Sequence, residues 1–386
     1  LMIWVNKGTD YAYKKITVKE VDTISLCLKP NKSKEYEELL EIVPPIQRAV
    51  TNVNGDKVEK NSKRLLFEDS VRNAYIATFP NDGQIKEFSN KVPYFDSKDV
   101  EDVIKKSCGN YKEIEGFLEK NKTTPEAMTI LKVIYEKDLR DTPKEILQSH
   151  LDTYLKTKNE NSYSKEIIDN YILNPRIQLE LITPWREYIY NNKREIFSEE
   201  ITTPSQISNW INKNIELNTK DNYYNCQISP KGVLKIKKSD RVSREILFVA
   251  IARTFAFPAK YDWATGKAQY YNNNEWLVAF PEEKTENSIS NNNEKCILNV
   301  NNNTVTNKIK PEYYSHFTLA KFIDGKFVTL DYEYDPKFKQ FPEKLVLDPG
   351  YYRLLTGNRA NDGTVYVKTN YFELKPNTTS DIFVEL

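Results

Sequence analysis

The sequence predicts an α+β protein of several domains, and three observations support this fold class. The chain has 386 residues, of which 39% are hydrophobic and 29% charged, enough apolar material for two or three packed units. Short alternating runs typical of strands occupy both ends of the chain. The middle of the chain instead has apolar residues at helical spacing after Thr-Pro helix starts. We therefore expect β-rich segments on either side of a helical one.

The first predicted segment, residues 1–95, contains β structure. IWVNKG and KKITVKEV alternate apolar and polar residues, as half-buried strands do. KSKEYEELLEIV is polar with helical spacing and is closed by two prolines, which predicts a helix. Because the chain opens LMIWV without an initiator Met, we expect the β domain to begin upstream of Leu1.

Residues 96–165 form the second predicted segment, which is helical. YKEIEGFLEKN, TPEAMTILKVIYEKDLRD and TPKEILQSHLDTYL each place apolar residues three or four positions apart. Thr124 and Thr142 stand directly before Pro, a pattern typical of helix starts. We expect several short helices packed together.

Residues 166–290 form the third predicted segment, which mixes helices and strands. YILNPRIQLELITPWREYIY and TPSQISNWINKNIEL are helical, and Thr203 is expected to cap the second helix. YYNCQISPKGVLKIKK is interpreted as a strand pair with a turn at residues 230–232. AKYDWATGKAQYY and EWLVAF are predicted strands on either side of an Asn-rich turn at residues 272–274.

The last predicted segment, residues 291–386, is an antiparallel β-sandwich. HFTLAKFIDGKFVTLDYEY and GNRANDGTVYVK each carry an Asp-Gly pair, at residues 324–325 and 362–363, which is typical of a hairpin turn. Asn triplets at residues 291–293 and 301–303 predict a polar linker or a long hairpin tip.

Charge, cysteine and histidine content argue against several kinds of site. Lys and Arg number 56 against 55 Asp and Glu, so no global basic field exists to attract nucleic acid. No run approaches the roughly 18 apolar residues of a membrane helix. Four scattered cysteines are interpreted as free, and two histidines, His150 and His316, as structural. We expect no metal, cofactor, nucleic acid partner or transmembrane segment.

The stretch SDRVSREILFVAIARTFAFPAK, residues 239–260, predicts a buried helix that leads directly into a strand. Ser239 and Asp240 are suited to cap the helix, and Pro258 ends it. This arrangement resembles the papain-like core of the transglutaminase-like superfamily, in which a Cys at the helix N-terminus precedes a Gly-Ile-Pro-Ala-Arg turn and a His-x-Trp strand. FAFPAK corresponds to that turn, and residues 274–276 correspond to His-x-Trp.

The resemblance extends over most of the chain. FEDSVRNAYIATF, SCGNYKEIEGFL, YILNPRIQLELITPWR and PGYYRLLTGNRANDGTV are similar to multidomain transglutaminase-like proteins of Bacteroidetes and related bacteria. The resemblance implies an exported protein, periplasmic or on the cell surface, often with a lipid anchor attached upstream.

The family's catalytic groups are absent from the matching positions. In an active member, the helix dipole and an imidazole lower the pKa of the Cys thiol, and a carboxylate orients the imidazole. Here Arg241 occupies the nucleophile position, Ser243 is the nearby hydroxyl, and Asn274 occupies the His position. No aspartate lies between residues 262 and 324 to complete a triad. We interpret Arg241, Ser243 and Asn274 as vestigial.

These observations predict a noncatalytic transglutaminase-like protein, an exported binding or scaffolding module for protein or glycan. The candidate binding residues are Asp240, Arg244, Tyr270 and Trp276. The alternative is a cysteine-dependent amide hydrolase or transamidase with a non-standard site, for which Cys226 is the candidate thiol.

Two groups of residues have both a structural and a binding interpretation. The aromatic residues Tyr223, Tyr224, Tyr270, Tyr271 and Trp276 either pack in strands or stack on sugar rings, for which exposed, coplanar rings are expected. A set of arginines and carboxylates forms either a structural ion-pair network or an anion site. Its members are Arg176, Arg186, Arg241, Arg244, Arg253, Glu180, Asp240 and Glu245.

Overall fold

The fold contains helices and strands in comparable amounts, which confirms the predicted mixed α and β class. Two compact units form, one from residues 1–49, 263–265 and 281–386, and the other from residues 50–262 and 266–280. We call them the β unit and the helical unit. The computed structural model describes residues 2–7, 10–16, 23–28, 36–44, 55–158, 163–218, 221–222, 224, 226–281, 295–303, 309–323, 325–332, 338 and 340–386.

The secondary-structure elements of the described residues are numbered in chain order. The strands are β1 (Met2–Lys7), β2 (Asp10–Lys15), β3 (Tyr36–Ile42), β4 (Glu216–Leu217), β5 (Lys238–Ser239), β6 (Ala259–Asp262), β7 (Lys267–Asn272), β8 (Glu275–Val278), β9 (Cys296–Asn302), β10 (Phe317–Ile323), β11 (Lys326–Thr329), β12 (Glu343–Leu347), β13 (Gly350–Arg359), β14 (Val365–Leu374) and β15 (Thr379–Val384). The α-helices are α1 (Gly55–Ile76), α2 (Asp82–Lys91), α3 (Ser97–Lys106), α4 (Tyr111–Lys120), α5 (Pro125–Val133), α6 (Glu136–Asp141), α7 (Lys144–Thr157), α8 (Lys165–Ile168), α9 (Trp185–Asn191), α10 (Lys193–Ile196), α11 (Pro204–Asn214), α12 (Pro230–Ile236) and α13 (Arg241–Thr254). A 3₁₀ turn occupies Cys108–Asn110, and a π-helical turn occupies Asp169–Leu173.

The β unit contains two larger sheets, with strand orders β11-β10-β13-β14-β3 and β12-β9-β15. Their inner faces share one core, in which Leu298 and Leu345 of one sheet join Phe317 and Leu354 of the other. Two sheets around one core form the architecture predicted for residues 291–386, with two corrections: the sandwich also includes β3, and its pairing is not wholly antiparallel. β15 runs parallel to β9. β1 and β2 form a separate antiparallel pair.

The helix predicted for KSKEYEELLEIV is wrong, because its described part is the strand β3. β3 pairs antiparallel with β14 from Tyr36 to Ile42 and completes the five-stranded sheet. Leu39 is 78% exposed whereas Leu40 is partly buried, as expected when side chains alternate with a period of two. Glu and Leu favour helices in isolation, so pairing with a distant strand overrides local propensity here.

The predicted hairpins of the β unit form. β13 pairs antiparallel with β14 across the Asp-Gly turn, where Gly363 has a φ of 87°. β10 pairs with β11 across Gly325, whereas Asp324 lies outside the described residues. The Asn-rich linker needs correction at Asn301 and Asn302, since both are part of β9. Residues 291–293 lie outside the described part of the chain.

The helical unit has two hydrophobic cores, and helices α2 to α7 build most of the first. α3 to α7 lie in the predicted helical segment, residues 96–165, whereas α1 and α2 lie in residues 1–95, for which the sequence predicted β structure together with a helix at KSKEYEELLEIV. Thr124 stands at the N-cap of α5, and Thr203 forms a reciprocal capping box with Gln206 at the start of α11. α1 is longer than any of these helices, yet none of its residues is buried.

The second core of the helical unit surrounds α13, which packs against α9, α11, α12 and the antiparallel sheet β6-β7-β8. Asp240 caps α13, as predicted, and β8 is the predicted strand. The strand predicted for AKYDWATGKAQYY needs correction, because it forms two antiparallel strands, β6 and β7, joined by a turn at residues 263–266. The β7–β8 turn requires left-handed backbone at Asn273 and Asn274, with φ of 50° and 64°, which Asn tolerates better than most residues.

The strand pair predicted for YYNCQISPKGVLKIKK is wrong, because residues 230–236 form α12. The Ser229 side chain accepts a hydrogen bond from the Gly232 N–H, and Pro230 occupies the first helical position. Lys237 ends the helix in the left-handed region with a φ of 57°. Pro-Lys-Gly therefore lies within the first turn of a helix.

Candidate functional site at the start of α13

The first turn of α13 holds Ser243, the hydroxyl nearest to the predicted nucleophile position. Asp240 Oδ1 accepts a hydrogen bond from the Ser243 N–H at 2.9 Å, and Ser243 Oγ donates to Asp240 Oδ2 at 2.6 Å. Ser243 Oγ also accepts from the Ile228 N–H at 2.9 Å. The Ser243 side chain has no exposed surface. The Ser243 hydroxyl therefore contacts a carboxylate three residues earlier in the chain, and its buried side chain is closed to a substrate.

The segment before α12 is tied to this cap through Asn222. Its Nδ2 donates to Asp240 Oδ2 at 3.1 Å and to the Cys226 carbonyl at 2.8 Å, and its Oδ1 accepts from the Cys226 N–H at 3.0 Å. Cys226 lies in this irregular segment and not in the predicted strand, and its side chain is exposed. Asn222 thus holds the backbone of a thiol-bearing residue beside the start of α13.

The arginines in the first turn of α13 have different surroundings. Arg241 is exposed to solvent. Arg244 lies 3.2 Å from Glu245 Oε1, and its guanidinium sits 4.3 Å from the centre of the Phe280 ring. Glu245 Oε2 accepts a hydrogen bond from the Ala268 N–H at 2.7 Å. Burial raises the pKa of the Glu245 carboxyl, against the opposing effect of that N–H and Arg244.

The structure does not bring Asn274 to Ser243. Ala268, near the start of β7, bonds to Glu245 in the early part of α13. Asn274 lies in the turn beyond the other end of β7, and Asn272 at that end is about 13 Å along the strand from Ala268, at about 3.3 Å per residue. The helix N-terminus therefore faces the opposite end of the β7–β8 hairpin from the residue aligned with the catalytic His.

Trp276 and Tyr270 belong to packed aromatic groups. Trp276 lies 4.7 Å from Tyr171 at an interplanar angle of 71° and 5.2 Å from Tyr271 at 55°, measured between ring centres. Lys260 Nζ lies 4.4 Å from the centre of the Trp276 ring. Tyr270 packs against Phe248 in the second core.

These aromatic rings are steeply inclined, unlike the coplanar arrangement expected of a sugar-binding platform. The ammonium of Lys260 also occupies one side of the Trp276 ring. Packing is therefore the interpretation that suits Tyr270, Tyr271 and Trp276. Tyr224 is exposed, and Tyr223 lies outside the described residues.

The five arginines do not form the single cluster that the sequence suggested. Arg176 pairs with Asp138, a partner that the sequence did not indicate, and lies 3.6 Å from Glu180 Oε2. Arg253 donates to the carbonyls of Asn174 and Arg176, at 2.7 Å each. These groups are nearly or fully buried at the C-terminal end of α13, whereas Arg241 and Arg244 are at its start.

Arg186 joins the buried group at the C-terminal end, and no carboxylate of the described residues pairs with it. It donates to the carbonyls of Arg253, Ile172 and Leu173 at 2.8, 2.7 and 3.1 Å. Burial, together with the charge of Arg253, lowers the pKa of Arg186 to about 9. Arg253 is likewise lowered by burial to a pKa of about 10. Both groups keep their charge at neutral pH, so carbonyl dipoles stabilise two buried cations.

Neither histidine contacts a thiol among the described residues. His150 is fully buried, with Nε2 2.9 Å from the Thr183 carbonyl and its ring packed against Trp185. Burial and the nearby charge of Arg186 lower the pKa of His150 to about 3. His316 Nδ1, in the β unit, accepts from the Glu312 N–H. Both histidines are thus engaged in local contacts.

No group of three or more His, Cys, Asp or Glu side chains suited to hold a metal occurs in the part of the chain that the structure describes. Within the same residues, every helix is too short or too polar to cross a membrane.

Comparison of the chain with protein-family models, with curated proteins and with solved structures gives no match.

Proposed function

We propose that the chain is a noncatalytic transglutaminase-like protein, exported to the periplasm or cell surface, that binds or scaffolds protein or glycan partners. In this proposal α13 and the sheet β6-β7-β8 correspond to the papain-like core, and α13 is retained for its shape. The order of helix, Pro-Ala turn and antiparallel strands supports this assignment. The similar phrases along the chain support export.

The hydrogen bonds of Ser243 are the observation that carries the proposal. Its hydroxyl joins Asp240 to the Ile228 backbone and has no exposed surface, so a substrate could reach it only after the contact with Ile228 and the surrounding packing opened. An exposed guanidinium at Arg241 lacks nucleophilic character. The start of α13 therefore holds groups suited to anchoring and to polar recognition.

An activity assay tests the noncatalytic assignment. Purified full chain is incubated with casein and dansylcadaverine to detect transamidation, and with casein alone to detect hydrolysis. We expect neither reaction above the level of a heat-denatured control. Turnover that disappears in Ser243→Ala or Cys226→Ser, while Cys27→Ser retains it, would overturn the proposal.

The second candidate is a cysteine-dependent amide hydrolase, which the position of Cys226 favours. Its thiol is exposed, and Asn222 ties its backbone to the Asp240 cap. Iodoacetamide labelling, followed by peptide mass spectrometry, compares Cys226 with Cys27, which is also exposed. If Cys226 and Cys27 are labelled at equal rates at each pH from about 6 to 9, the result supports the noncatalytic proposal. Preferential labelling of Cys226 at low pH supports the hydrolase, because an activated thiol is deprotonated there.

A further inference from the structure

A groove of about 510 Å³ lies in the helical unit, between the start of α3, one face of α5 and the turn that follows α8. Its volume is within the range of about 300 to 1,000 Å³ typical of small-molecule sites. α5 contributes residues at helical spacing, so a single face of this helix forms one wall. That wall consists of Pro125, Met128, Thr129, Lys132 and Val133.

An exposed tyrosine stands in the lining of this groove. Tyr94 is 59% exposed, and its ring lies 5.9 Å from Phe95 at an interplanar angle of 83°. Phe95 is buried in the first core, so this edge contact attaches the Tyr94 ring to a rigid support. Tyr94 therefore presents aromatic surface to solvent beside the apolar side chain of Met128.

The charged groups of the groove are already paired. Lys132 Nζ lies 2.7 Å from Asp99 Oδ2, and Lys165 Nζ lies 2.5 Å from Asp169 Oδ2. Asp96 Oδ1 accepts the N–H groups at the start of α3 and caps that helix. Three aspartates against two lysines give the lining a net charge of −1, and both lysines are in ion pairs.

A π-helical turn shapes the remaining wall. Asp169 and Asn170 begin the turn Asp169–Leu173, and both line the groove. π-helical turns are rare and are frequent at functional sites. Asn170 Nδ2 donates to the Glu166 carbonyl at 3.0 Å, which fixes its amide beside the Lys165–Asp169 pair. The turn thus adds an oriented carboxylate and amide to the groove.

We propose that this groove binds a short neutral saccharide. A sugar ring has an apolar C–H face, which suits Tyr94 and the apolar members of the α5 wall, Pro125, Met128 and Val133, and a hydroxyl edge, which suits Asp169 and Asn170. Paired charges favour a neutral ligand over an ion, because an ionic ligand would have to compete with existing ion pairs. The groove shares no residue with the start of α13, so the proposal holds whether or not the proposed function does.

Ligand-detected NMR and calorimetry on the full chain test the proposal with cellobiose, maltose, lactose and N,N′-diacetylchitobiose. We expect at least one of these disaccharides to bind at a single site. Tyr94→Ala should weaken its affinity about tenfold through loss of ring contact, and Tyr94→Phe should retain it. The matched control is Tyr366→Ala, which removes a ring of similar exposure (55%) from β14 and should leave affinity unchanged.

A second pair of variants tests the amide. Asn170→Ala should weaken saccharide binding, whereas Asn214→Ala should not, although Asn214 makes the same type of bond to a carbonyl four residues earlier. All variants must retain the melting temperature of the parent chain, which is expected because these side chains are not buried.

Salt dependence separates a saccharide from a basic peptide. Saccharide affinity should not change between about 50 and 500 mM NaCl, because a neutral ligand is insensitive to screening. Absence of binding by all four disaccharides, or binding that Tyr94→Ala leaves intact, overturns the proposal. It is equally overturned if tetralysine binds instead, weakens with salt and depends on Tyr94, since the groove is then a peptide site.

Discussion

The two ends of α13 use polar side chains in opposite ways. At the start, Asp240 and Ser243 bond to each other within the first turn and to Asn222 and Ile228 of the preceding segment, and Arg241 remains in solvent. At the end, Arg253 and Arg186 are buried and donate to carbonyls far away in sequence.

This difference separates local capping from long-range stabilisation. The start of α13 satisfies the free N–H groups of a helix, at a contribution of about 1 kcal/mol per cap. The C-terminal end of α13 joins three chain segments through the guanidinium groups of Arg186 and Arg253. Such charged groups are unfavourable when they are buried without partners. The family resemblance placed the catalytic groups at the start of α13. The charged side chains whose burial is most unfavourable lie instead at its C-terminal end.

The largest expected effect comes from the ion pair at the C-terminal end. Arg176→Leu leaves Asp138 buried without its partner, and we expect a loss of about 3–5 kcal/mol in the free energy of unfolding. Urea denaturation measures this loss. Arg241→Leu, at the exposed start of α13, is the matched control and should change stability by less than about 0.5 kcal/mol. Equal losses in the two variants would remove the distinction between the two ends.

The next effect is a pH dependence at His150, beside Arg186. Its folded pKa of about 3 is below the ordinary value of 6.5, so the unfolded chain binds more protons between these values. Above pH 6.5 the free energy of unfolding therefore contains the full contribution of the neutral His150 ring. This contribution falls as the pH decreases, by at most about 1.4 kcal/mol per pH unit.

Urea denaturation between pH 7 and pH 4 measures this slope. Replacement by an aromatic ring without a titrating group, His150→Phe, should remove the His150 part of the slope while retaining the ring contact with Trp185. An unchanged slope in His150→Phe contradicts the assignment.

A smaller effect is expected at the start of α13. Asp240→Ala removes the cap and the contacts to Asn222 and Ser243, which should cost about 1–2 kcal/mol of stability. Asp240→Asn keeps a capping oxygen and should lose less. Thermal denaturation of the two variants distinguishes capping from a charge effect, since similar losses would point to the carboxylate charge.

The smallest effect is expected for Ser243→Ala. Loss of the bond to the Ile228 N–H should cost about 1 kcal/mol and accelerate hydrogen exchange of that amide. Ser205→Ala, at an exposed position of α11, provides the comparison and should leave exchange at Ile228 unchanged. Unchanged exchange in Ser243→Ala would contradict the anchoring role of its hydroxyl.

The sequence was informative where the signal is local. Asp240 and Thr203 were predictable as caps, because a side-chain oxygen before a helix bonds N–H groups within three residues. Asp-Gly and Asn-rich turns were predictable because few residues adopt positive φ. Ser229 before Pro230 is an equally local signal of a helix start. Because Pro-Lys-Gly is also typical of a hairpin turn, the sequence favoured a strand pair instead.

The sequence was less informative where a distant partner decides the outcome. β3 has the composition of a helix and becomes a strand because β14 pairs with it. The candidate site depends in the same way on Asn222 and Ile228, which approach the start of α13 only when the intervening chain folds back. The groove beside Tyr94 combines segments about 70 residues apart at its extremes, so no contiguous pattern indicates it.

Local sequence signals were enough to predict the mixed class, the capped α13, the strand β8 and the hairpins of the β unit. Each follows from hydrogen bonds or periodicity within a few residues, which the chain specifies locally. Long-range packing places Asn274 and Ser243 at different ends of the β7–β8 hairpin, pairs Arg176 with Asp138 and leaves α1 without a buried residue. These outcomes depend on which surfaces are removed from water together, and burial is a property of the packed chain as a whole.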